Sequence, residues 1–134
     1  MKPFKLKIPS ITDNLRIVES FIDQAREELK FDDDIYGNIM IAVTESVNNA
    51  IIHGNKNNKD KNVHLSLVME DDNISFTVED EGIGFNFLDL PDPTAPENID
   101  KPGGRGIFLI KHLADEVRFT QEGKRVEIIF YLNS

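Results

Sequence analysis

Hydrophobic and polar positions alternate at the start of the chain, where Lys5 and Lys7 separate Phe4, Leu6 and Ile8. A period of two predicts a half-buried strand, and lysine on the polar positions suits a sheet edge. Pro9 ends it, and Ser10 with Asp13 three residues later reads as a capped helix start. Leu15, Val18, Ile22, Ala25 and Leu29 then follow helical spacing, which predicts a first helix at about 11–30. Ile35, Ile39, Ala42, Val43, Ser46, Val47 and Ala50 mark one face of a second helix at about 33–53. Asp32, Asp33 and Asp34 suit the positive end of its dipole better than they suit a metal site, and Gly54-Asn55 closes it.

The period then returns to two. Val63, Leu65, Leu67 and Met69, followed by Ile74, Phe76 and Val78, predict a hairpin turning at Glu70–Asn73. Residues 86–102 hold four of the six prolines, so they form a long loop, either a functional lid or disordered. Ile107, Ile110, Leu113 and Ala114 predict a short third helix after the cluster Gly103-Gly104-Arg105-Gly106. Val117 and Phe119, then Val126, Ile128, Phe130 and Leu132, close the chain as a hairpin around Glu122-Gly123. The order β-α-α-β-β-loop-α-β-β predicts an α+β fold. One mixed, mostly antiparallel sheet carries three helices on one face, a two-layer α/β sandwich in a single domain over 1–134.

Composition narrows the function. The 134 residues are 40% apolar and 29% charged, ordinary for a soluble domain. With no cysteine, a disulfide framework, a thiolate zinc site and a cysteine nucleophile are excluded. A net charge of −9 argues against nonspecific binding to nucleic acid or an anionic membrane. No apolar run approaches the roughly 18 residues of a membrane span. The N-terminus has no signal-peptide core, so the Asn73-Ile-Ser75 sequon carries no weight and the expected location is the cytoplasm. The charge is uneven: residues 69–100 sum to −10 and residues 101–125 to +3, with the change at the glycine cluster.

Three segments are candidates for chemistry. Glu45 and Asn49 lie one turn apart on the second helix, about 40° apart in projection, at the border of its apolar stripe. An amide oxygen suits Mg²⁺ that carries phosphate oxygens, and a nearby carboxylate can take a proton from a hydroxyl or orient a water. Taken alone, such a pair is more often two ordinary polar residues at a helix edge. Asp80-Glu81-Gly82-Ile83-Gly84 follows a strand directly. A strand-end carboxylate can accept from an adenine amino group and would reject guanine, although an acidic turn is the commoner meaning. Gly103–Gly106 opens a helix, where bare backbone N–H groups favour anions and Arg105 and Lys111 add positive charge. A plain hinge is the equal alternative. The pattern fits neither a Walker loop nor a dinucleotide fingerprint.

Taken in order, a helix with Glu45 and Asn49, a strand ending in Asp80-x-Gly82-x-Gly84, a proline-rich lid and Gly104-x-Gly106 opening a helix resemble the GHKL ATPase superfamily. There these segments are the N, G1 and G2 boxes of the Bergerat ATP-binding fold. PDPTAPEN and KPGGRGIFLIKHLADEV, within residues 91–117, look most like the anti-sigma factor serine kinases of the RsbW/SpoIIAB type. The resemblance implies ATP and Mg²⁺ as ligands. It implies Glu45 as general base, Asn49 as the Mg²⁺ holder, and Asp80 as the reader of the adenine amino group. Gly82 and Gly84 would let the chain pass close to the base, and Gly104 and Gly106 would border the phosphates. Arg105 and Lys111 would contact phosphate or partner. The implied activity is serine/threonine phosphorylation of an anti-anti-sigma STAS protein, with a sigma factor as competing ligand and a homodimer as the assembly. The alternative is a nucleotide-gated interaction switch without phosphotransfer. His53 reads as a packed helix-end residue. No helix carries a phosphoacceptor histidine, no DNA-binding or sensor segment is evident, and Lys124 follows Gly123 where many relatives have threonine.

Overall fold

Alternation on the strands builds a sheet with one apolar face, and the helices supply the surface that covers it. The computed structural model describes residues 3–82, 104–121 and 124–132. The elements run β1 (Phe4–Pro9), α1 (Leu15–Leu29), α2 (Asp33–Asn49), β2 (Asn62–Met69), β3 (Asn73–Glu79), α3 (Gly104–Leu113), β4 (Glu116–Thr120) and β5 (Arg125–Tyr131). A 3-10 turn at Thr12–Asn14 precedes α1 and a π turn at Ala50–Gly54 continues α2.

The strand order is β1-β2-β3-β5-β4 and every pairing is antiparallel. The sheet expected to be mixed is therefore wholly antiparallel among the described residues. After α3 the chain takes the far edge as β4, then turns back by a hairpin to place β5 beside β3. The β2–β3 hairpin has the register its alternation demands, with Leu65 opposite Val78, Leu67 opposite Phe76 and Met69 opposite Ile74.

Val63, Leu65, Leu67, Ile74, Phe76, Val78, Val126, Ile128 and Phe130 are buried in the core. Phe76 and Phe130 meet edge to face, with ring centroids 6.1 Å apart. Helix α1 contacts β1, α3 contacts β4, and α2 touches both other helices as well as β3 and β5. The central helix therefore presents its buried face to the middle of the sheet and its flanks to its neighbours. The opposite sheet face carries a groove of about 460 Å³ lined by residues that include Lys5, Lys7, His64, Thr77 and Arg125.

Three element boundaries differ from the expectation. Ser10 does not cap a helix: it is buried, and its hydroxyl donates to the Lys61 carbonyl at 2.6 Å. The next residues form their own 3-10 turn, so α1 begins at Leu15 rather than near 11. Helix α2 leaves α geometry at Ala50, where the Asn55 N–H donates to the Ala50 carbonyl at 2.8 Å across the wider π turn. Helix α3 begins at Gly104, so Gly104 and Gly106 belong to its first turn instead of preceding it. Of the aspartates before and in the first turn of α2, Asp33 pairs with Arg26.

Truncating Phe76, fully buried and against Phe130, leaves a cavity in the middle of the sheet. Phe76→Ala is expected to lower unfolding free energy by about 3–5 kcal/mol in urea denaturation, a large share of a typical domain's stability. A loss below about 1 kcal/mol would show that the ring is not a core anchor.

Candidate functional site

The last turns of α2 and the residue after β3 each meet a glycine, and these two meetings form the ends of one site. On α2, Glu45 is half-buried and Asn49 is buried, 6% exposed. The first turn of α3 crosses directly over them. A Cβ placed on Gly106 would lie 3.0 Å from Asn49 Nδ2 and 3.2 Å from Glu45 Oε2. A side chain at this position would press on both groups and make them give by a few tenths of an ångström. The opening turn of a helix carries unpaired N–H groups and the positive end of its dipole. The sequence thus brings an anion-favouring backbone, a carboxylate and an amide into one place. Among the described residues, Ser46 Oγ and Asn49 Nδ2 are buried without a hydrogen-bond partner. Both residues border a cavity of about 10 Å³ shared with Ile107, Phe119 and Lys124.

Five residues further along the same helical segment, Gly54 ends the π turn against Asp80. A Cβ on Gly54 would overlap the Asp80 carboxylate, and one on Gly82 would overlap the Gly54 carbonyl oxygen. Asp80 is 4% exposed. Its N–H donates to the Lys124 carbonyl at 3.0 Å, and its Oδ1 accepts the Gly82 N–H at 2.9 Å. Burial pushes the Asp80 carboxyl up from its ordinary pKa, while the Gly82 N–H and then the Lys124 charge pull it back. His53, half-buried beside this turn, is shifted down by burial and by Lys56, which favours the neutral ring.

The structure thus brings Glu45, Asn49 and Gly106 together, and Asp80 and Gly82 together. Gly104 and Arg105 lie in the opening turn of α3. Lys111 sits in its last turn, exposed, with the ammonium 5.9 Å from the centre of the Phe119 ring, at the other end of the helix from Gly104. Gly84 and the lid at 86–102 lie outside the described residues. Three residues at the site were not singled out for it in the sequence: Ser46, Gly54 and Asn55. Gly54 carried a signal, a glycine at the end of a periodic run. Its reason, the carboxylate of Asp80, lies 26 positions away.

A family model described as a histidine kinase-like ATPase domain matches residues 8–130. The chain is similar to the serine-protein kinase RsbW of Bacillus subtilis, 29% identical over 136 residues, covering 96% of this chain and 85% of that one. It is similar to the anti-sigma F factor of Bacillus velezensis, 36% identical over 104 residues, covering 75% and 67% of the two chains. A solved structure containing the RsbU and RsbW domains of a Mycobacterium tuberculosis protein superposes with a TM-score of 0.65 at 14% identity, covering 99% of this chain and 32% of that chain. At that identity the likeness is one of fold, and it agrees with the α+β arrangement above.

The burial of Asp80 has a consequence for stability. Its pKa in the folded chain lies above the ordinary value of 3.8, so folding favours the protonated form. Its contribution is therefore fully favourable below the unfolded pKa and is lost as pH rises through the folded one. Asp80→Asn is expected to melt a few degrees above the wild type at pH 7, with the difference shrinking as both are acidified to pH 4 (about the unfolded carboxyl's own pKa). A variant that melts at or below the wild type at pH 7 would contradict the unfavourable burial of this carboxylate.

Proposed function

Since the chain belongs to the histidine kinase-like ATPase domain family, we propose that it binds ATP with Mg²⁺ and transfers the γ-phosphoryl group to a serine or threonine of a partner protein. The observation that carries this reading is the meeting of Glu45, Asn49 and Gly106. A base, a hard oxygen ligand and a bare helix N-terminus stand together, which is the set that phosphoryl transfer requires. Asp80 supplies the other end, a buried acceptor for the adenine amino group, on a turn that Gly82 lets pack against the Gly54 carbonyl.

Asn49 fits the metal. Its Oδ1 would be the ligand, while its Nδ2, buried without a hydrogen-bond partner among the described residues, is a donor that a phosphate oxygen would satisfy. Mg²⁺, when bound, neutralises charge on the phosphate oxygens. Glu45 removes the proton from the attacking hydroxyl as its oxygen bonds to the γ-phosphorus and the bridge to the β-phosphate breaks, leaving ADP. Gly104 and Gly106 keep the first turn of α3 open to phosphate, and Arg105 and Lys111 add positive charge on the same helix. Asp80 selects adenine because guanine presents a carbonyl where this buried carboxylate needs a donor.

The partner we propose is a STAS-domain anti-anti-sigma protein, with a sigma factor competing for the kinase and a homodimer as the working assembly. Relatives named as a serine-protein kinase and as an anti-sigma factor support this choice. The second reading is a nucleotide-gated switch that transfers nothing. One observation favours it: Lys124 borders the cavity beside Ser46 and Asn49, at the position where the resembled family carries threonine.

Incubation with labelled ATP and a serine-bearing STAS protein separates the two readings. Glu45→Ala is expected to keep ATP affinity within about threefold and to lower phosphotransfer by about 10²–10⁴. Normal phosphotransfer by this variant would remove the base assignment, and its absence from the wild type would favour the switch. In calorimetry, Asp80→Asn is expected to weaken ATP binding roughly 10- to 100-fold, because one carboxylate oxygen keeps the Gly82 N–H and an amide N–H would then meet the adenine amino group donor to donor. Unchanged affinity would remove the adenine role.

A further inference from the structure

The turn that carries Asp80 is held by a buried side chain that the nucleotide reading does not use. Asn55 is 1% exposed and every hydrogen-bonding group of its amide is occupied. Its Oδ1 accepts the Glu81 N–H at 2.8 Å. Its Nδ2 donates to Ser10 Oγ at 2.7 Å and to the Asn62 carbonyl at 3.0 Å. Ser10 is anchored in turn, since its hydroxyl and its N–H both donate to the Lys61 carbonyl, at 2.6 and 3.1 Å. One amide therefore ties the end of the π turn to the end of β1, the start of β2 and the turn after β3.

The Glu81 side chain closes the same turn from outside. Its Oε1 accepts the Asn62 N–H at 3.0 Å and its Oε2 meets His64 Nε2 at 2.7 Å. Those contacts, the Asn62 N–H first, hold its carboxyl below the ordinary pKa. Across Asp80, Glu81 and Gly82 three successive N–H groups are thus bound to Lys124, Asn55 and the Asp80 carboxylate. The middle one is the only one of the three held by a residue of the helical segment that Asp80 faces.

We propose that Asn55, seconded by the Glu81 carboxylate, is a positioning residue for base recognition: it fixes the place of the Asp80 carboxylate and thereby sets the preference for a 6-amino purine over a 6-oxo purine. The inference rests on the reading of Asp80 given under the proposed function. The physical ground is distance tolerance. A hydrogen bond weakens steeply when its atoms move a few tenths of an ångström or turn off line, so an acceptor must be held to discriminate. The amide of Asn55 gains nothing from nucleotide directly, because all its groups are bound within the protein.

The test measures ADP and inosine diphosphate affinities by calorimetry for the intact chain and for Asn55→Ala, Ser10→Ala, Glu81→Ala and Asp80→Asn. Inosine replaces the 6-amino group with a carbonyl and adds a proton at N1, leaving the sugar and phosphates unchanged. Asn55→Ala is expected to reduce the ADP-over-IDP preference at least tenfold, and Glu81→Ala about threefold. Ser10→Ala, which keeps the Asn55–Glu81 bond, is expected to lower the melting temperature and leave the preference within twofold. A merely structural Asn55 would lose stability in the same way and keep the preference, and a folded Asn55→Ala with an intact preference overturns the proposal. Should Asn55→Ala not fold, Glu81→Ala decides, because its exposed side chain can be removed without opening the core, and an unchanged preference there overturns the proposal equally. Loss of preference in Asp80→Asn alone defeats the clamp and leaves the nucleotide reading standing. A wild type without preference, or Asp80→Asn that keeps it, defeats that reading and the clamp with it.

Discussion

Asp80 follows β3 directly with its carboxylate out of water, and a buried carboxylate is costly unless the protein surrounds it with donors. Much of the local structure answers that demand. Gly82 turns its N–H back onto the carboxylate. Gly54 lacks a side chain because the carboxylate occupies the space a Cβ would need. The Lys124 carbonyl takes the Asp80 N–H and the lysine's charge favours the ionised form. The helical segment that begins at Asp33 must then finish with a wider turn, so that Gly54 arrives against β3 while the core residues Val47, Ala50 and Ile51 stay buried.

The same helix serves the other end of the cleft under a different constraint. Glu45 and Asn49 sit on the flank of α2 that faces α3, and Gly106 lets α3 come within contact of both. Two glycines on two different elements therefore define the space, one by admitting a carboxylate and one by admitting a helix. Because α2 packs against both other helices and the central strands, its polar flank is held as firmly as its apolar face. A reacting group needs that kind of support, since small misplacements are expensive in rate.

The strands were legible because alternation needs only neighbours in sequence. Phe76 and Val78 predict their own burial, and the hairpin to Leu65 and Leu67 follows from a short polar turn. The motif residues were legible because the chemistry of Glu45, Asn49, Asp80 and the glycines is carried by residue type and order. What escaped was long-range. Ser10 reads as a helix cap until its hydroxyl is seen to serve the Lys61 carbonyl, 51 positions later. Asn55 reads as the tail of a helix cap until its amide is found bound to three other segments. The π turn has no periodic signature, and it brings Gly54 against the carboxylate of another element. The mixed sheet expected from the element order became antiparallel because a last hairpin, after the helix, returned β5 beside β3.

The ties of Asn55 also bear on how the domain comes to exist. Its partners stand 45 positions earlier and 26 positions later in the chain. No local segment can assemble that end of the cleft on its own, and contacts of such separation form only once loop closure over most of the sheet has been achieved. A partly folded chain would therefore lack the place proposed for a purine. Any ligand that settles there draws on the cooperativity of the whole sheet, and its binding energy is felt as resistance to global unfolding rather than as the stiffening of one corner.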